Sequence, residues 1–364
     1  MVLSSIKGEG LETNKKSYGW TLGDLSKVPK NDVKVMSTFS CGGGSSMGYK
    51  LAGCDVIAAN DIDPEMAYHY KLNLNPENYF LCPIKDLFKM DLPKSLFELD
   101  ILDGSPPCST FSMSGKREKA WGKNKHFREG QTKQVLSDLF FDYLDLVDKL
   151  RPKVAIAENV KGMLMGNAKG YTKEIVKRFK SIGYVPQVFL VNAADCGVPQ
   201  KRERVFFCAY RSDLKLKPIK IKPEKAWVSV GEALEGVELT KAEYKAISSK
   251  SKTDSLWWPL TRPGEGYHKA VIKMGLKKKY WNHIKVHPKK PSPTVMANCC
   301  LKHYSEQRGL CFREIKRLGS FPDDYRAKSD IIGKYMVGMS VPPRMIEAVA
   351  RAVCSQWLGV RYES

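Results

Sequence analysis

From Val33 onward the chain repeats one pattern: a short apolar run, a turn, then apolar positions three and four residues apart. Runs at Val33–Phe39, Val56–Asn60, Tyr79–Cys82, Asp100–Asp103, Val154–Glu158, Pro186–Val191 and Arg204–Tyr210 predict strands. The clearest helical pattern spans 134–150, where Leu136, Leu139, Phe140, Tyr143, Val147 and Leu150 form one apolar stripe. Strands alternating with helices predict an α/β fold: a Rossmann-like, doubly wound, mostly parallel sheet with helices on both faces. Residues 1–32 are polar and rich in Gly, Lys and Ser, and read as an arm with little core of its own. The rhythm holds over 33–210 and then breaks. Residues 211–225 alternate apolar and basic positions with two prolines, as an edge strand or linker would. Irregular sequence continues to 312 with Trp227, Trp257, Trp258, Trp281 and the basic patch Lys277-Lys278-Lys279, which predicts a second, smaller domain over 211–312. Helical patterns return at Arg313–Leu318 and 343–357, so 313–364 is read as a segment returning to the first domain.

Charge narrows the class of partner. The chain has 364 residues and carries 60 Lys and Arg against 39 Asp and Glu, a net charge of +21. Such a surplus repels itself unless a polyanion is a regular partner, which points to nucleic acid. The ten cysteines are scattered without a Cys-x-x-Cys pair, as in a reducing cytoplasm and not a disulfide framework. No apolar run approaches membrane length and the N-terminus has no signal-peptide pattern, so the reading is a protein of the cell interior with no membrane partner. His283, His287, Cys299, Cys300, His303 and Cys311 have spacings that match no standard zinc finger, and no metal is expected.

Candidate chemistry sits at the ends of the predicted strands. Phe39-Ser40-Cys41-Gly42-Gly43-Gly44 follows the first, where glycines let backbone approach a ligand closely. Asp61 and Asp63 follow the second and Asp86-Leu87 the third; Asp61 is spaced to meet ribose hydroxyls, while either Asp61 or Asp63 could cap a helix before Pro64. Gly-rich and acidic tips describe an adenosine-type ligand, NAD included, and the absence of Gly-x-x-x-x-Gly-Lys-Ser/Thr argues against a triphosphate. The fourth strand runs into Gly104-Ser105-Pro106-Pro107-Cys108, whose prolines fix the backbone ahead of a thiol suited to nucleophilic attack. Glu158 stands in an otherwise apolar strand, as a carboxyl able to donate a proton or as half of a structural ion pair. In Gln200-Lys201-Arg202-Glu203-Arg204 an extended backbone would point Gln200, Arg202 and Arg204 the same way.

Taken together these segments resemble one family. Ser105-Pro106-Pro107-Cys108, Glu158-Asn159-Val160, Gln200–Arg204 and the Phe39 loop occur in the order found in cytosine-5 DNA methyltransferases. Arg313–Pro322 and Gly338-Met339-Ser340-Val341-Pro342-Pro343 fit the same pattern. The resemblance covers about 33–210 and 291–357, and implies that 211–312 holds the variable target-recognition region. It implies S-adenosyl-L-methionine as cofactor, held by Phe39, Cys41, Gly42, Gly43, Gly44, Asp61, Ile62, Asp86, Leu87, Pro107, Ser340 and Val341. Cys108 would add to carbon 6 of a cytosine flipped from the duplex, Glu158 would act at ring nitrogen 3, and Arg202 or Arg204 would hold the 2-oxygen. Ser109, Lys116, Arg117, Lys119, Lys123, Lys125, Arg128 and Gln200 would contact double-stranded DNA, with the enzyme acting as a monomer. Cys41 and Met339 depart from the family's usual glycine and asparagine, which implies altered cofactor contacts with the chemistry retained. An RNA-acting enzyme of the same architecture is the alternative, and a silent DNA-binding relative a further one. The long basic region with its tryptophans favours duplex DNA, while Cys108, Glu158 and Arg204 argue against a silent relative. The target sequence stays open.

Overall fold

The computed structural model describes residues 18–107, 124–125, 134–135 and 138–362, apart from Asn167, Lys222, Glu224, Ser249, Lys250 and Lys278. All seven predicted strands form: β1 (Lys34–Thr38), β2 (Asp55–Asp61), β3 (Asn78–Leu81), β4 (Ile101–Gly104), β7 (Val154–Val160), β8 (Tyr184–Asn192) and β9 (Glu203–Arg211). Two-residue strands β5 (Asn124–Lys125) and β6 (Gln134–Val135) pair antiparallel between β4 and β7. The large sheet has the order β3-β2-β1-β4-β7-β9-β8. Its strands from β3 to β7 are parallel, and β9 and β8 close it antiparallel.

Alternation along β9 shows how the sheet divides two cores. Val205, Phe207 and Ala209 face helices α4 (Leu139–Leu150) and α5 (Ala168–Ser181), and Phe206, Cys208 and Tyr210 face the opposite core. That second face is covered by α2 (Gly44–Leu51) and α12 (Pro343–Trp357). Helix α12 carries Met345, Ile346, Val349, Ala350, Val353 and Trp357 on its buried stripe, so the end of the chain completes the layer that its beginning leaves open. Helix α3 (Pro64–Leu74) begins where Asp63 accepts from the Glu65 and Met66 N–H groups and Pro64 presets the first turn.

One sequence expectation needs correction and two gain detail. The helical stripe over 134–150 starts only at Leu139; Gln134 and Val135 belong to β6, and Leu136 lies outside the described residues. Of the two readings of 211–225 the linker fits and the edge strand does not: Arg211 ends β9, and among the described residues a short 3-10 turn at Ser212–Leu214 leads into coil. Gln187 of β8 takes up that coil instead, accepting from Ile219 N–H at 3.0 Å and donating to its carbonyl at 3.3 Å. In the N-terminal segment, α1 (Leu22–Leu25) and Trp20 dock on the 320–324 turn, so the arm borrows a core from the rest of the chain. Trp20 is buried, its Nε1 donates to the Ser320 carbonyl at 3.0 Å, and its own carbonyl accepts from Asp323 N–H at 2.7 Å.

Residues 226–312 contribute α6 (Val230–Leu234), α7 (Lys241–Ile247), α8 (Lys252–Leu260) and α9 (Tyr267–Lys273), with β10 (Ile284–Lys285) parallel to β11 (Leu301–Lys302). Trp257, Tyr267, Ala270 and Val271 form a small core there. Helices α10 (Phe312–Leu318) and α11 (Asp330–Met339) then join Trp20, Met47, Met66, Val230, Val286 and Val295 in a third core. No helix among the described residues is long and apolar enough to cross a membrane.

Candidate active site

A cleft opens at the carboxyl ends of β1, β2 and β4, where a doubly wound sheet leaves its strand tips exposed. Of the residues expected to hold a ligand, Phe39, Cys41, Gly44, Asp61, Ile62, Pro107, Ser340 and Val341 line it. The remainder of the wall comes from Ser40, Ser45, Asp63, Met66, Ser105, Tyr335 and Met339. Met339 thus faces the cleft from the last turn of α11, and Tyr335 stands one turn before it. Tyr335 and Met66 had no signal of their own in the sequence, because only the approach of α11 and α3 makes them neighbours.

Four of the residues expected to contact the ligand are not among those lining this cleft. Leu87 is fully buried in the α4-side core, and Asp86 sits in the 3-10 turn Ile84–Phe88. Gly42 receives the Tyr325 hydroxyl on its carbonyl at 2.7 Å, and Gly43 caps α2 with φ of 85°. A Cβ on Gly44 would meet the Val341 carbonyl and Ser340 Cβ, so this glycine serves the close approach of the C-terminal segment as well as the cleft. Cys41 has φ of 45°, the left-handed region where glycine is unstrained, which explains why its position normally takes glycine.

Asp61 ties the first two strand tips together. Its Oδ2 accepts from Cys41 N–H at 2.7 Å and its Oδ1 from Asp63 N–H at 2.9 Å. Burial pushes its carboxyl up to about 6, against the lowering effect of those N–H groups. Asp63, not Asp61, is the helix cap.

The second half of the site lies where β4, β7 and β9 meet. Glu158 is buried near the end of β7, and its Oε1 is 2.9 Å from Arg204 Nε. The neighbouring Asn159 donates from Nδ2 to the Pro106 carbonyl at 3.0 Å, which fastens the Pro-Pro segment to the strand bearing Glu158. Ser105 Oγ is buried with no hydrogen-bond partner among the described residues, and Ser105 lines the cleft. Asn159 was visible in the sequence only as a neighbour of Glu158; its hold on Pro106 is a long-range contact.

Burial separates the residues of Gln200–Arg204. Gln200 was expected to reach DNA, but it is 1% exposed; its Nε2 donates to the Leu318 carbonyl and its Oε1 accepts from Val295 N–H. Arg202 is 3% exposed and its Nη1 donates to the carbonyls of Val295 and Gly338, both at 3.0 Å. Burial, together with the Arg204 charge, pushes the Arg202 guanidinium well down from its ordinary value. Only Arg204 reaches Glu158. The reason is register: the bridge between Gln200 and Ser292 draws this stretch under the returning 291–295 segment before β9 begins. Cys108, Ser109, Lys116, Arg117, Lys119, Lys123 and Arg128 lie outside the described residues, and Lys125 belongs to β5.

Comparison with known proteins gives one picture. The family model described as C-5 cytosine-specific DNA methylase matches residues 33–355. The type II methyltransferase M.FnuDI of Fusobacterium nucleatum is 28% identical over 346 residues, covering 88% of this chain and 94% of its own. The type II methyltransferase M.NgoFVII of Neisseria gonorrhoeae is 27% identical over 342 residues, covering 89% and 87% respectively. Among solved structures, an E. coli prophage protein assigned as a DNA modification methyltransferase shares the fold with a TM-score of 0.68. Its identity is 21%, over 89% of this chain and 99% of that one.

Proposed function

The chain belongs to the C-5 cytosine-specific DNA methylases and is a cytosine-5 DNA methyltransferase, and we propose that its methyl donor is S-adenosylmethionine and its substrate a cytosine turned out of duplex DNA. The donor, bound in the cleft, supplies the electrophilic methyl group that carbon 5 takes up. The cleft suits an adenosyl ligand. Asp61 has lone pairs left for ribose hydroxyls beyond the two N–H groups it accepts, and the Ser105 Oγ lacks, among the described residues, a partner that a polar ligand would provide.

Carbon 5 of cytosine is a weak nucleophile until a group adds at carbon 6. In this reading the Cys108 thiolate forms the sulfur–carbon 6 bond, and the electrons of the 5,6 double bond move toward carbon 5. Glu158 gives a proton to ring nitrogen 3 as charge builds there, and Arg204 holds the 2-oxygen. After methylation, water takes the carbon 5 proton, Glu158 takes back the proton at nitrogen 3, and the restored double bond expels the thiolate. Arg202 is assigned no contact with the base, since it is buried beneath the returning segment and its Nη1 is engaged by the Val295 and Gly338 carbonyls. Pro106 and Pro107 restrict the backbone leading to Cys108, and Asn159 anchors it. A stacked base offers no access to carbon 6, so the base must leave the helix.

The observation carrying this reading is the 2.9 Å Glu158–Arg204 pair on a strand whose next residue grips the Pro-Pro segment. Labelled S-adenosylmethionine incubated with DNA and with RNA tests it. Label should pass to cytosine in duplex DNA, and Cys108→Ser should abolish transfer while donor binding and the melting temperature hold. Label on RNA alone, or a serine variant of near-normal turnover, would overturn it.

A further inference from the structure

Beyond the cleft, an open groove is lined by Lys201, Trp227, Ser229, Glu232, Lys289 and Lys290, with Pro291 at its end. We propose that this groove holds DNA phosphates outside the base pair being methylated, contributing affinity that does not depend on base sequence. The proposal rests on duplex DNA being the substrate, as inferred above.

Three chain segments build the groove. Lys201 comes from the stretch leading into β9, Trp227 and Ser229 from the connection to α6, and Lys289 and Lys290 from the segment returning before Ser292. Backbone bonds lock the first to the third: Lys201 N–H donates to the Ser292 carbonyl at 2.8 Å, and Ser292 N–H to the Pro199 carbonyl at 2.9 Å.

The groove's charges are asymmetric in their commitments. Glu232, its only acidic lining residue, accepts from the Ser229 N–H and hydroxyl at 2.8 and 2.6 Å, closing the cap of α6. Among the described residues, Lys201, Lys289 and Lys290 have no carboxylate within 4.0 Å. Three ammonium groups facing one already engaged carboxylate complement a polyanion.

Trp227 pre-orders this surface. Its indole is 50% exposed, yet Nε1 is fixed to Asp195 Oδ1 at 2.7 Å. The Lys201 ammonium lies 4.7 Å from the ring centroid. A long side chain held over a pinned ring has less freedom to lose on meeting a phosphate.

Location favours DNA as the occupant. Arg204 follows Lys201 by three residues, so their backbones lie within about 10 Å of one another. That limit equals roughly three steps along one DNA strand.

Binding of duplex DNA across about 50 to 200 mM salt tests the proposal, using wild-type protein first shown to methylate DNA. Replacing both lysines (Lys289→Ala with Lys290→Ala) should flatten the slope of log affinity against log salt by about 2, at about 0.9 per lost phosphate contact. Target and non-target duplexes should weaken alike, and turnover at saturating DNA should hold. Arginine at both positions should keep the wild-type slope. Lys89→Ala with Lys94→Ala, an equal charge loss outside the groove, should leave the slope unchanged. An unaltered slope in the groove variant, or equal flattening in the control pair, overturns the proposal. A wild-type protein that binds but never methylates DNA would instead remove the substrate reading beneath it.

Discussion

Arg202 donates to the carbonyls of Val295 and Gly338, while Arg204, two positions on, reaches the Glu158 carboxylate. Their consequences on substitution should differ in kind. Arg204→Lys should cut the methyl-transfer rate by on the order of 10²-fold with little change in melting temperature, as loss of one charge-stabilising donor does. Arg202→Met should instead leave buried carbonyls unpaired at about 1–3 kcal/mol each, read as a lower melting temperature. The reverse pattern would exchange the two assignments. Asp61 gives a pH dependence with a definite sign. Burial raises its carboxyl to about 6, so its charged, all-acceptor form prevails above that pH and is lost below it. Affinity for S-adenosylmethionine, measured by calorimetry, should therefore be flat above about pH 7 and fall as pH drops through 6. Asp61→Asn should bind more weakly and lose that dependence; identical pH profiles in both proteins would show that Asp61 does not hold the donor. Glu158, Cys108 and Asp61 stood out in the sequence because each is a chemically loaded residue in a chemically plain strand end. Arg202 and Gln200 did not declare their burial, since nothing local distinguishes a charged edge from a tether beneath a distant segment.

At the scale of elements, apolar runs located the seven strands of the large sheet, and apolar stripes at spacings of three and four located α4, α10 and α12 but singled out neither α3 nor α5. Helix α11 escaped that reading because Asp330–Met339 contains Gly333 and Gly338, which weaken helix propensity. Packing explains both: a Cβ on Gly333 would strike the Phe312 ring, and one on Gly338 would strike the backbone of Met296 and Ala297. The same close fit governs the start of α2. Gly44→Ala should drive α2 away from Ser340 and Val341, costing about 1–3 kcal/mol in unfolding free energy and weakening donor binding together. Urea unfolding and donor titration on one preparation check it, and a variant altered in neither would show that the segment yields freely. The stretch 211–225 carried the alternation of a strand, yet the edge of β8 takes it through the Gln187 side chain as coil. With prolines at 218 and 223, backbone donors needed for a ladder are missing.

Across the whole molecule the two ends of the chain are structural parts of one catalytic unit. Helix α12 covers the sheet face bearing Val35, Ile101, Ile156 and Phe206, and Trp20 reaches into the core shared by α10 and α11. Deleting residues 343–364 should expose that face and yield insoluble protein; a soluble truncated chain that still binds donor would contradict the arrangement. The amino-acid sequence by itself determined the α/β architecture, the acidic tip of β2 and the place of Glu158 in an otherwise apolar strand. These follow from side-chain periodicity and from residue types whose chemistry is local. Tertiary structure alone decided that Arg204 and not Arg202 meets Glu158, that Asn159 holds Pro106, and that Tyr335 and Met66 complete the cleft. Each of those depends on segments tens to more than two hundred residues apart being brought into contact, and a linear pattern records which residues prefer burial without recording what they are buried against.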